Sequence, residues 1–92
     1  MLKREERAFN GWKYKEINAE ENLIREISSE LVISKVLFLK GSVKPSDMEV
    51  RVPIRNNKNV IKELESNGWF KVGKEKANDK SLIQILRKEI IY

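Results

Sequence analysis

The clearest pattern in the chain lies between Met48 and Ile54. Met48, Val50, Val52 and Ile54 fall on one side of an alternating run, with Glu49 and Arg51 on the other. A period of two predicts a half-buried strand. Pro53 fits best near the end of an edge-accessible stretch. Upstream, Trp12-Lys13-Tyr14-Lys15-Glu16-Ile17 also alternates large and charged residues after an Asn10-Gly11 turn signal, and reads as a strand. The pattern then changes to a helical one. Leu23, Ile24, Ile27 and Leu31 form an apolar stripe over a helix from Ala19 to Leu31. Asn18 and Glu21 have capping-box spacing at its start, and Glu21 and Arg25 stand at i,i+4.

From Val32 to Lys40 β-formers return, closed by Gly41-Ser42, and Lys44-Pro45-Ser46-Asp47 reads as a type I turn. A short helix capped by Asn57 or Asn59 follows, running through Ser66 with Val60, Ile61 and Leu64 on its buried side. Asn67-Gly68 supplies the left-handed stop. Trp69 to Val72 reads as a strand and Lys76 to Lys80 as a turn. Ser81 to Tyr92 is ambiguous: Leu82, Leu86 and Ile90 suit a helix, Ile83 and Ile85 a strand.

The order from Trp12 to about Lys76 is β-α-β-β-α-β. It predicts an α+β, ferredoxin-like split β-α-β sandwich with an extra C-terminal element. The alternative is a winged helix. Val60 to Trp69 would end its recognition helix, Phe70 to Leu86 would be the wing, and Lys44 to Asn57 would have to be helix and turn. The 92 residues make one domain, with residues 1–10 a candidate flexible N-terminal segment.

The helix Leu23-Ile24-Arg25-Glu26-Ile27, the strand Lys35 to Gly41 and the ending Leu64-Glu65-Ser66-Asn67-Gly68-Trp69 together resemble the NIL and ACT families of regulatory domains over residues 23–72. The chain departs from the NIL pattern at Asp47-Met48, where a glycine usually precedes the third strand. The resemblance implies a ferredoxin-like fold and a dimer that holds a small ligand or a protein partner at its interface.

Charge then separates the two ends. Residues 1–34 hold six basic and seven acidic side chains, and residues 35–92 hold thirteen basic and seven acidic. The net charge of +5 therefore belongs to the later two-thirds, where it would attract phosphate backbones. The plain alternative is a solvated lysine-rich surface. With neither cysteine nor histidine there is no thiolate nucleophile, no Ser-His-Asp triad and no common metal-ligand set, and phosphate-loop and dinucleotide fingerprints are absent too. Asp47 with Glu49 and Arg51 is the best magnesium-binding candidate. Position 47 is better explained as a turn residue, however, and 49 as an exposed strand residue. The expectation is a non-catalytic protein without cofactor or metal. The longest apolar run, Val36 to Leu39, is too short to cross a membrane, and the charged N-terminus does not resemble a signal peptide, so a cytoplasmic location is the default.

The leading expectation is contact with DNA or RNA. If Trp12, Tyr14, Val50, Val52, Phe70 and Val72 face the helices, alternation puts Lys13, Lys15, Arg51, Trp69 and Lys71 on the open sheet face. Arg55, Lys58, Lys62 and Lys74 extend the positive surface. Leu37 and Leu39, opposite Val36 and Phe38, would need a cover, either the tail or a second subunit.

Overall fold

The computed structural model describes residues 4–6 and 14–92. These form an α+β arrangement of five strands and two helices: β1 (Arg4–Glu6), α1 (Lys15–Ile27), β2 (Ile33–Leu39), β3 (Pro45–Pro53), α2 (Lys58–Ser66), β4 (Phe70–Lys76) and β5 (Leu82–Glu89). The strands make one sheet in the order β1-β2-β3-β5-β4, and every neighbouring pair is antiparallel. The ferredoxin-like order is not confirmed. The ambiguous tail is strand β5, and it lies between β3 and β4 instead of standing outside the sheet. The winged-helix alternative needs helix and turn at 44–57, where the chain forms β3.

Both helices pack on one side of the sheet over a single core. Met48, Val50 and Val52 of β3, Val36 and Phe38 of β2 and Leu86 of β5 are buried against Ile17 and Ile24 of α1 and Ile61 and Leu64 of α2. The alternation from Met48 to Val52 is therefore what the core requires. Pro53 ends β3, a central strand, so its missing N–H interrupts no ladder inside the sheet.

Several local expectations give way to packing. Tyr14 to Ile17 does not continue a strand; α1 begins at Lys15, and Asn18 is inside it. Ile17, Glu21 and Ile24 recur at i, i+4 and i+7, and this stripe takes Ile17 into the core. The rest of the predicted strand, Trp12 and Lys13, lies outside the described residues. Helix α1 stops at Ile27, and Leu31 reaches the core from the connection that follows. Glu21 is not a cap. Buried, it accepts a hydrogen bond from the Ile33 backbone N–H at 3.0 Å and an ion pair from Arg25 at 3.4 Å, tying α1 to the start of β2. The β2–β3 turn sits at residues 40–44, with Gly41 in the left-handed region, and Pro45 opens β3.

At the end of α2, Asn67-Gly68 acts as expected. Gly68 has φ +94°, and a Cβ there would stand 3.2 Å from Lys88 Cε. Lys88 threads this gap to meet Glu20 Oε1 at 2.6 Å and the Asn67 carbonyl at 2.8 Å. It thereby ties the acidic helix α1 to the C-terminus of α2, where a cation is favoured.

Candidate polyanion-binding groove

The open face of the sheet is not the positive platform that alternation predicts. Lys15 is an exposed residue of α1, on the other side of the molecule. Trp69 is 2% exposed and belongs to the core, and Phe70 and Val72 are the exposed residues. A slip of one residue exchanges the two faces of a strand, and the chain enters β4 only at Phe70. The Trp69 indole N–H has no hydrogen-bond partner among the described residues.

The open face interleaves Leu37, Leu39, Ile83 and Ile85 with charges that meet in opposite pairs. Arg4 of β1 binds Asp47 of β3 and comes within 3.9 Å of Glu89 of β5. Lys35 of β2 meets Glu6 of β1 at 3.3 Å. Arg87 of β5 meets Glu49 of β3 at 2.9 Å, and Arg51 of β3 pairs with Glu75 of β4. Asp47 is 1% exposed and Glu49 6%, so neither is the surface residue expected of a turn or an outward strand position. Asp47 also accepts a hydrogen bond from Ser46 Oγ at 2.9 Å. Each carboxylate is thus consumed by an arginine across the strands. Among the described residues no group of three or more acidic side chains is placed to hold a metal ion. Arg51 is likewise committed to Glu75 and is not free for phosphate.

The unpaired cations lie on the helical side, along the edge. The alternation rule groups residues 71, 73 and 75 of β4. Val72 is an extra residue, however: Lys71 pairs with Leu86 of β5 and Gly73 with Ile85, so a bulge shifts the phase. Lys71 opposite Leu86, Lys74 opposite Gln84 and Lys76 opposite Leu82 therefore all face the side that carries α2. On α2, Lys58, Lys62 and Glu65 stand at i, i+4 and i+7 and share one stripe.

The two rows line a groove of about 460 Å³ between α2 and β4, floored by Ile54, Ile61 and Gln84. Gln84 is buried, and its amide N–H groups are used by the carbonyls of Gly73 at 2.8 Å and Ile85 at 3.3 Å. At its N-terminal end the groove continues into a recess lined by Arg55, Asn56, Lys58 and Asn59. Asn56 is in the left-handed region there, and the first backbone N–H groups of α2 have no side-chain cap. Round the corner, Arg55 also borders Asp79 and Lys80 of the β4–β5 turn.

Among the described residues Arg55, Lys58, Lys62 and Lys74 make no ion pair, and Lys71 comes only within 3.9 Å of Glu65. Of the nine residues expected at a binding face, the structure gathers Lys58, Lys62, Lys71 and Lys74 into this groove, with Arg55 at its mouth. It separates Lys15, Arg51 and Trp69 from them, and Lys13 lies outside the described residues. Glu65, Gln84 and Lys80 are additions. Helical spacing from Lys62 was a signal for Glu65, whereas Gln84 needed the strand order to be known.

Two titrations are perturbed at the periphery. The Asp79 carboxyl is held below its ordinary range by hydrogen bonds from the Ser81 hydroxyl and backbone N–H. Burial, with smaller contributions from Tyr14 and Glu16, pushes the Tyr92 phenol up. Its O–H donates to the Pro45 carbonyl at 2.6 Å, and Lys44 lies 4.9 Å from the ring centroid. Both groups are outside the groove. Among the described residues no helix is long and apolar enough to cross a membrane. The chain matches no protein-family model, no curated protein and no solved structure.

Proposed function

We propose that this chain is a non-catalytic nucleic-acid-binding domain whose contact surface is the groove between α2 and β4 with its continuation to Arg55. One observation carries the reading. The cations of the open face are spent on cross-strand carboxylates, while Arg55, Lys58, Lys62 and Lys74 line one groove without acidic partners. Lysines left unneutralised along a concave surface produce the focused positive potential that attracts phosphate backbones. Glu16 and Glu26 of α1, which make no ion pair among the described residues, oppose such an approach on the neighbouring helix, so the field has a direction.

The test is a salt series of mobility shifts or anisotropy titrations on mixed-sequence DNA and RNA. Binding that weakens steeply with salt and is lost in Lys58→Gln/Lys62→Gln/Lys74→Gln supports the reading, provided Arg51→Gln binds as the wild type does. Absence of binding at low salt, or affinity indifferent to salt, defeats it. Equal binding to heparin would mark a polyanion surface without a nucleic-acid role.

A second reading is the regulatory dimer that the NIL and ACT resemblance implies. Phe70 and Val72, 49% and 41% exposed on the edge strand β4, favour it. The same strand carries Lys71, Lys74, Lys76 and the bulge at Val72, and such features keep edge strands from pairing. Light scattering over a concentration series separates the two readings: a strict monomer removes the second.

A further inference from the structure

We infer that the groove grips a double helix by the phosphates of one strand, with no base stacking and no base reading, and that Glu65 marks the end of the contact. The inference rests on the nucleic-acid reading above and names the class of ligand within it.

The lining is the first argument. Proteins that prefer single strands combine a positive groove with aromatic side chains on which bases stack. This groove is lined by aliphatic, lysine, glutamate and glutamine side chains. The exposed aromatics among the described residues are elsewhere. Phe70 pairs with Arg87 on the opposite face of the sheet, and Tyr92 is held by Pro45 and Lys44. The one amide on the groove floor that resembles a base reader, Gln84, has its N–H groups committed to backbone carbonyls. What remains for discrimination is phosphate density, and a duplex offers more of it than a single strand.

Spacing is the second argument. Four residues of helix separate Lys58 from Lys62, a rise of about 6 Å. That interval is close to the distance between successive phosphates along the backbone of one strand, so Lys58 and Lys62 can meet neighbouring phosphates. On β4 the bulge puts Lys71 and Lys74 on one face, opposite that helical row. Two such rows, one on α2 and one on β4, flank one backbone. At the far end Glu65 stands beside Lys71, and its carboxylate both weakens that cation and repels the next phosphate.

The closing experiment titrates the full chain with a short mixed-sequence duplex and with each of its separated strands across a salt series. The four unpaired cations Arg55, Lys58, Lys62 and Lys74 predict a slope of log affinity against log salt of about −3.6 for the duplex and about −2.8 for the strands. Duplex preference therefore grows about sixfold for each tenfold dilution of salt. Shuffling the sequence leaves the affinity unchanged. Glu65→Gln binds about two- to fivefold more tightly, with a steeper slope, because Lys71 becomes a full contact. Strands bound as tightly as the duplex, a marked sequence preference, or a Glu65→Gln variant no tighter than wild type would each overturn the inference while leaving nucleic-acid binding intact. If neither form binds at the lowest salt, the underlying reading itself has failed.

Discussion

The two sides of the sheet treat charge in opposite ways. On the open face an arginine or lysine is answered by a carboxylate of another strand: Lys35 by Glu6 and Arg87 by Glu49 on adjacent strands, Arg4 by Asp47 and Arg51 by Glu75 across the strand between them. On the helical side, along α2 and β4, Lys58, Lys62 and Lys74 are left unanswered among the described residues. Both regions look equally basic in the sequence. The difference shows that a count of cations says little about binding until their partners are known. Paired charges zip strands together, whereas unpaired ones project a field.

Glu49→Ala strikes the paired side hardest. It leaves Arg87 without its partner in a part-buried site, and stability should fall by about 3 kcal/mol. Urea melts measure the loss, and the folded fraction should bind nucleic acid with wild-type affinity. If affinity fell as well, the two sides would not be independent.

Gly68→Ala attacks the geometry of the groove side. The new Cβ would occupy a left-handed conformation and crowd Lys88, at a cost of about 1–2 kcal/mol. Because α2 stops there, affinity should fall together with the melting temperature, unlike in Glu49→Ala.

Arg51→Gln sharpens the comparison by doing little. Its pair with Glu75 is partly exposed, so stability should change by less than about 1 kcal/mol. Affinity should stay at the wild-type value. A clear loss would return the open face to the binding surface.

The smallest effect is one of pH. The folded state holds the Asp79 carboxyl below its unfolded value, so its contribution to stability is present above the unfolded pKa. That contribution disappears as pH falls through the folded value. Acid should loosen the β4–β5 turn first. Hydrogen exchange of the Ser81 N–H, which donates to Asp79, reads this directly, and Asp79→Asn should remove the dependence.

Much of the architecture was legible because burial imposes it locally. The run from Met48 to Val52 alternates because one side of β3 meets the helices. The stripe of Ile61 and Leu64 and the stop at Asn67-Gly68 defined α2. The start of α1 was misplaced because Trp12 to Ile17 carries aromatic and alternating residues. Ile17 belongs to a helical stripe only once Ile24 is known to be in the same core.

The sequence by itself determined that this is a small α+β chain with an acidic early helix and a basic later part, because period and charge are local properties of the residues. It also put Lys58, Lys62, Lys71 and Lys74 among the binding candidates. Tertiary structure decided which cations are free. The bulge at Val72 brings Lys71 and Lys74 to one face against the expected alternation, and insertion of β5 between β3 and β4 gives the groove its floor. Cross-strand register gives Arg87 its carboxylate, Glu49, and strand order brings Glu75 of β4 within reach of Arg51 across β5. Register, bulge and strand order depend on contacts between residues far apart in the chain, and local pattern carries no record of them.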